Sequence, residues 1–239
     1  TDPDQIMICW GLDPIYLTGE RLVGRHLDAV SERRQIFILH ASGHLATANS
    51  AVIRHDNITA DNPTPGIQLD EYGHPNGELL EPAAMSLASG QRMLRESYAS
   101  ELAKWNYAYE ARNAGHTLMT DLGTSSVDEQ GVASWSTVTS HPDYPTRVMV
   151  AGSVFATALP PEDIARRVVQ LRDNPPNDKL RFGTIKLIID GSIQGFTARL
   201  TWPYYFNPPA GNAENGLWLM PPDQVPEIVE IFHRAGLTV

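Results

Sequence analysis

From residue 83 to the end, helix-like and strand-like segments alternate four times, and that alternation restricts the fold more than any other feature. Apolar periodicity predicts a long helix over 83–113, carried by Met85, Leu87, Met93, Leu94, Leu102, Trp105 and Tyr109 and stopped at Gly115. A strand over 116–120 follows, then a helix over 128–140 closed by His141-Pro142, and a strand over 147–150. The stretch 161–173 is amphipathic, with Ile164, Val168 and Leu171 on one face. A strand over 182–189, a helix over 222–234 ended by Gly236, and the start of a strand over 237–239 complete the series. Strands that alternate with helices build parallel βα units, so the expected class is α/β. Four such strands make about half of an eight-stranded barrel.

The first 82 residues read differently. Strands are expected over 6–10 and 36–39, and an Ala-rich stretch after His44 could be a short helix ending near Arg54. Residues 56–80 carry many Asp, Asn, Pro and Gly and read as loops around short strands. No internal repeat or low-complexity segment interrupts the chain.

A net charge of −10 with no long basic run excludes nucleic acid as the main partner, because phosphate binding needs a basic face. No apolar run approaches the roughly 20 residues of a membrane span. Cys9 is the only cysteine, so an intramolecular disulfide is impossible; this fits a reducing, cytoplasmic compartment. The first residue is Thr1 and the last four read as a strand just beginning, so both ends look cut and a central segment of a longer protein is expected.

The run Lys186-Leu-Ile-Ile-Asp190-Gly191-Ser192 sets one lysine in a strand that reads as buried. Alternation puts Lys186, Ile188 and Asp190 on one side of it. A lone ammonium there is costly unless paired or used. Either a neighbouring carboxylate pairs with it, or its lowered pKa lets it form a Schiff base, act as a base, or become carboxylated and bridge two metal ions. Asp121, at a strand end before Gly123, is a site candidate or a cap, whereas His116 falls at the opposite end of its strand and reads as structural. His40, His44 and Asn49 form a polar cluster after a buried strand. Ser42-Gly43 breaks any continuous helix that would let the two histidines share a metal, and no metalloprotease pattern surrounds them. Glu78 and Glu81 read as caps or solvated groups. Ser192 and Thr197 lack a nucleophile elbow.

Four motifs carry a resemblance: Ser42-Gly43-His44 with Asn49-Ser50; Asn76-Gly77-Glu78-Leu79-Leu80-Glu81-Pro82-Ala83; Gly115-His116 through Asp121; and Lys186 through Tyr204. In this order they resemble the large-insert, metal-dependent amidohydrolases of the YtcJ type, nearest to the AepA-like branch. The resemblance implies a (β/α)8 barrel, of which 83–239 would hold about strands two to four and the start of five. Residues 1–82 would be an inserted α+β subdomain. It implies hydrolysis of non-peptide or cyclic amide C–N bonds in a small molecule, by water activated on a divalent metal, zinc first, one or two ions per protein.

On this resemblance Lys186, if carboxylated, matches a metal-bridging lysine, and Glu81 approaches the metals. His44 and Asn49 belong to the covering insert. Asp121, Asp190, Ser192, Trp202 and Tyr204 join them as expected substrate-side residues, with Tyr205 and Phe206 extending an aromatic wall. The family's His-x-His pair is absent from this sequence, so the chain alone is expected to hold only one or two of the metal ligands, to assemble no full metal site and to be inactive. A homo-oligomer would cover an exposed half-barrel edge. Two rivals stand beside this reading: a regulatory or binding protein on the same scaffold, and a Schiff-base enzyme using Lys186.

Overall fold

A computed structural model describes residues 5–123, 127–155, 159–204 and 215–239. These residues fall into two compact units, the first within 1–94 and 190–219, the second within 95–189 and 220–239.

The first unit holds β1 (Met7–Leu12), α1 (Gly24–Asp28), β2 (Ile36–His40), β3 (Leu45–Ala48), α2 (Ser50–His55), β4 (Ile67–Leu69), β5 (Pro75–Leu80), α3 (Glu81–Met85) and the start of α4 (Ser89–Ala99). Its sheet runs β1-β2-β3-β5-β4. β1 and β2 are parallel and the remaining pairs antiparallel, so the sheet is mixed. The Ala-rich stretch after His44 is a strand before it is a helix. Leu45, Ala46, Thr47 and Ala48 are all fully buried between β2 and β5, where small side chains let the layers close, and the helix α2 begins only at Ser50. Packing overrides the weak strand propensity of alanine here. Phe37, Leu39, Val52, Ile58, Leu79, Ala84 and Met85 complete this core.

The second unit holds α5 (Glu101–Asn113), β6 (Leu118–Asp121), α6 (Glu129–Thr139), β7 (Arg147–Ser153), α7 (Pro161–Asp173), β8 (Leu180–Lys186) and α8 (Val225–Arg234). β6, β7 and β8 lie side by side and parallel, as the alternation predicts. Each crossover helix carries its own start signal and buried stripe. Asp128 caps α6 by accepting from Gly131 N at 2.8 Å, and Val132, Trp135, Val138 and Thr139 face inward. α7 opens on Pro161 with Glu162 and Asp163 in its first turn, and it buries Ile164, Ala165, Val168 and Leu171. Gly115, at φ 82°, takes the left-handed turn that stops α5, and His116 N closes back on Ala111 O at 2.8 Å. Beyond α8, Thr238 forms an isolated parallel bridge with Thr184 of β8.

Two further expected elements differ. The helix expected over 83–113 is three helices, α3, α4 and α5. Ser100 is extended at φ −64°, ψ 150° and its hydroxyl accepts from Ala103 N, so it caps a new helix where the apolar pattern runs on. The strand expected over 182–189 is β8, ending at Lys186.

Candidate functional site

In the first unit, the antiparallel register that sets Leu45 opposite Leu80 brings His44 opposite Glu81. Glu81 N donates to His44 O at 2.7 Å, and His44 Nδ1 lies 2.7 Å from Glu81 Oε2. Glu81 is 4% exposed and stands at φ 67°, a left-handed backbone that costs a non-glycine residue about 1–2 kcal/mol. Its other oxygen, Oε1, is buried without a hydrogen-bond partner. A strained, buried, half-satisfied carboxylate next to a histidine has the physical profile of a functional group.

The loop after Asp190 packs on this pair. A Cβ on Gly191 would overlap Thr197 and Glu81 Oε1, and one on Gly195 would overlap Leu45. Only glycine lets this backbone close down on the carboxylate. The loop is pinned from within: Ser192 N donates to Thr197 Oγ1 at 3.0 Å, Gly195 N to Ser192 Oγ at 2.9 Å, and Arg199 N to Asp190 Oδ2 at 2.8 Å. Asp190 and Ser192 therefore shape the loop in this structure. Tyr204 donates to Ala198 O at 2.7 Å and stacks edge-on to Phe196. Burial, then Asp190, raises its phenol pKa. Trp202 is 71% exposed. Tyr205 and Phe206 lie outside the described residues. The ring of Phe196 also receives the Arg21 guanidinium at 5.6 Å, and Arg21 is paired with buried Glu78.

Asn49 is fully buried, and its amide is committed to the backbone. Oδ1 accepts from Ile36 N and Val52 N, while Nδ2 donates to Ser31 O and Arg34 O, both at 2.8 Å. No capacity remains for a ligand. His40 is 1% exposed, with Nε2 on Thr47 Oγ1 at 2.9 Å. Burial first, then Arg21, lowers its pKa to about 4 against a small opposing pull from Asp13. It is a neutral core histidine.

In the second unit the carboxyl ends of the parallel strands gather Asp121, Ser153 and Lys186. Ser153 is in register with Lys186, and Asp121 with Val150. A Cβ on Gly123 would stand 3.6 Å from Ser153 Oγ and 3.8 Å from Lys186 Cγ. Ligands in α/β proteins are held at this end of the strands. Lys186 is half-buried rather than buried, because the regular strand stops at it. Asp121 is 8% exposed and accepts from Gly123 N and Trp135 Nε1, both at 3.1 Å. His116 precedes β6, at the opposite end.

Sequence reasoning missed two groupings: Arg21 with Glu78 and Phe196, and Lys104 with Ser134 and Trp135. The second left a signal, since Lys104 shares a helical face with Ala108 and Ala111. Among the described residues, no three His, Cys, Asp or Glu gather closely enough to hold a metal.

The sequence matches a family model described as "Amidohydrolase family" over residues 1–239. It is similar to Protein LONG AFTER FAR-RED 3 of Arabidopsis thaliana, 25% identical over 232 residues, covering 92% of this chain and 38% of that protein. It is also similar to Exoenzymes regulatory protein AepA of Pectobacterium carotovorum subsp. carotovorum, 26% identical over 220 residues, covering 89% of this chain and 45% of that protein. Among solved structures it is similar to an uncharacterized metal-dependent hydrolase from Pyrococcus horikoshii OT3, with a TM-score of 0.53, 21% identity, and coverage of 97% of this chain and 43% of that one. A second, from Pyrococcus furiosus, gives a TM-score of 0.51 at 21% identity, covering 97% of this chain and 44% of that one. The chain thus spans less than half the length of each of these relatives. At this identity the solved structures speak for the fold alone. No helix among the described residues is long and apolar enough to cross a membrane.

Proposed function

The chain belongs to the amidohydrolase family, and from that premise we propose that the whole protein is a metal-dependent hydrolase of carbon–nitrogen bonds in small non-peptide or cyclic amides. The observation that carries this reading is Glu81: a buried, strained carboxylate with one oxygen held by His44 and the other without a partner.

In this reading β6, β7, β8 and the strand beginning at 237 are strands two to five of a (β/α)8 barrel, and residues 1–82 are the inserted subdomain. Lys186 then ends strand four, where a carboxylated lysine would bridge two ions. Glu81 Oε1 fits a cation ligand, since a buried anionic oxygen without a donor is costly until something positive meets it. One carboxylate does not make a coordination set, so Glu81 supplies part of a site and no step is derived through the ion. A bound divalent ion, zinc first, would supply Lewis acidity and a low-pKa water. The chain's own part is to hold Glu81 through His44, to close the glycine loop on it, and to present Asp121 and Lys186 at strand ends. Asp190, Ser192, Trp202 and Tyr204 shape the substrate side. The same reading takes the protein to be cytoplasmic and to self-associate through the edge of β6, with these 239 residues alone inactive.

The test is made on the whole protein. Metal content is measured, then turnover of formamides and cyclic amides. We expect Lys186→Ala to lose metal and activity, with partial rescue by short-chain carboxylic acids. Metal-loaded protein that turns over none of these amides would favour the second reading, a regulatory protein on a hydrolase scaffold. The name of the Pectobacterium relative, a regulatory protein of exoenzymes, supports that alternative.

A further inference from the structure

Helix α5 buries Lys104, Ala108 and Ala111 along one face. Lys104 is 4% exposed. An ammonium has three N–H donors. One goes to Ser134 Oγ, and Nζ lies 5.0 Å from the centroid of the Trp135 ring. Among the described residues no carboxylate forms an ion pair with it. Burial holds its pKa below the ordinary lysine value, while Asp121 and Glu101 pull it back up.

Lys104 lines a cavity of about 350 Å³ together with Tyr98, Tyr107, Asp121, Leu122 and Trp135. That volume suits a molecule of one aromatic ring. Among the described residues the lining is mostly aromatic and apolar, with Lys104 and Asp121 its only ionic residues and Thr120 and the two tyrosines carrying hydroxyls. Asp121 accepts from Gly123 N and Trp135 Nε1 and sets a carboxylate in the same wall. A carboxylate ligand would gain Lys104 but be repelled by Asp121, and a cationic ligand would meet the reverse. An uncharged acceptor meets neither penalty and fills the donors that Ser134 leaves over.

We infer that this cavity binds a small, uncharged aromatic compound by its carbonyl oxygen, which accepts from Lys104 Nζ while the ring lies against the aromatic wall. The argument uses second-unit residues alone and does not rest on the hydrolase reading. Binding here requires no metal and no turnover.

The test is calorimetric titration of the intact protein with benzamide, benzoate and benzylamine, together with nuclear magnetic resonance of the Trp135 indole N–H. The expected result is that benzamide binds and shifts the indole resonance, and that the two charged probes bind more weakly. Lys104→Met should weaken benzamide at least about tenfold. Tyr107→Ala, at a side chain 59% exposed, should weaken it several-fold without disturbing the fold. The inference is overturned by no benzamide binding, by tighter binding of benzoate, or by binding that survives either substitution unchanged. Circular dichroism checks each variant. Should Lys104→Met fail to fold, the Tyr107 variant and the probe series decide.

Discussion

His44 and Glu81 are joined twice, by a backbone hydrogen bond from Glu81 N to His44 O at 2.7 Å and by a side-chain contact of 2.7 Å between Nδ1 and Oε2. The double link explains how a glutamate can persist at φ 67°. The sheet register fixes the histidine, and the histidine fixes the carboxylate. His44→Phe should remove the polar partner and leave both oxygens of a buried carboxylate short of donors, at a cost of roughly 2–3 kcal/mol. Glu81→Gln should cost less, because a neutral amide needs no counter-charge. Urea midpoints of the two single variants and the double variant give the coupling between them. Coupling near zero would mean that the pair is incidental.

Gly191 offers a sharper probe of the same place. Any side chain there overlaps Thr197 and Glu81 Oε1. Gly191→Ala should destabilise by roughly 1–3 kcal/mol through overpacking and should push the loop off the carboxylate. Gly43→Ala, at φ 73° with open space around it, should cost only the local backbone penalty of about 1 kcal/mol. Thermal midpoints of the two variants, with metal content of the whole protein as a second readout, separate crowding from strain.

The parts of this fold that could be read from sequence share a cause. α6 carries a cap, α7 a first-turn proline with two acidic residues, both have buried stripes, and α5 and α8 end at glycines, so local signals and tertiary packing agree. The reading failed where one signal outvoted another. Apolar spacing continues through Ser100, yet a serine hydroxyl starts a new helix there. Alanines at 46 and 48 are poor strand formers, yet two neighbouring strands bury them. Of the candidate site, the glycine loop after Asp190 was legible in the sequence, whereas Lys186 was expected inside a strand over 182–189 and the strand ends at it. The φ of Glu81 was not legible, because glutamate carries no mark of a left-handed conformation. Lys104 was hidden because a lysine in a helix reads as solvated until its neighbours one and two turns on are seen to be buried.

His40 makes stability depend on pH with a defined sign. Thr47 Oγ1 donates to Leu22 O, so it accepts from His40 Nε2–H, which leaves Nδ1 buried and without a partner. The folded form resists a second proton, and the pKa falls from 6.5 to about 4. The unfolded chain takes that proton first. The contribution is therefore intact above about pH 6.5 and is lost progressively down to about pH 4, with a ceiling of about 3 kcal/mol. Subtracting the pH profile of His40→Gln from that of the wild type cancels the carboxylates. The difference should decline across this window, and a flat difference would show that His40 is not a buried neutral group.

Asn49 separates a structural from a ligand-binding role. Its amide satisfies two backbone N–H groups and two backbone carbonyls from inside the core. Asn49→Ala would leave all of them buried and unpaired, and it would remove the cap of α2. A loss of roughly 3 kcal/mol or more follows. Asn49→Asp keeps the acceptor for Ile36 N and Val52 N but turns a negative oxygen toward the carbonyls of Ser31 and Arg34. It should be no more stable than the alanine variant. Chemical denaturation of the three proteins measures this directly. Were Asn49 instead a substrate contact, the alanine variant would unfold with the wild type and differ only in KM on the whole protein. The four buried hydrogen bonds predict the opposite pattern, with stability lost before any effect on binding can be read.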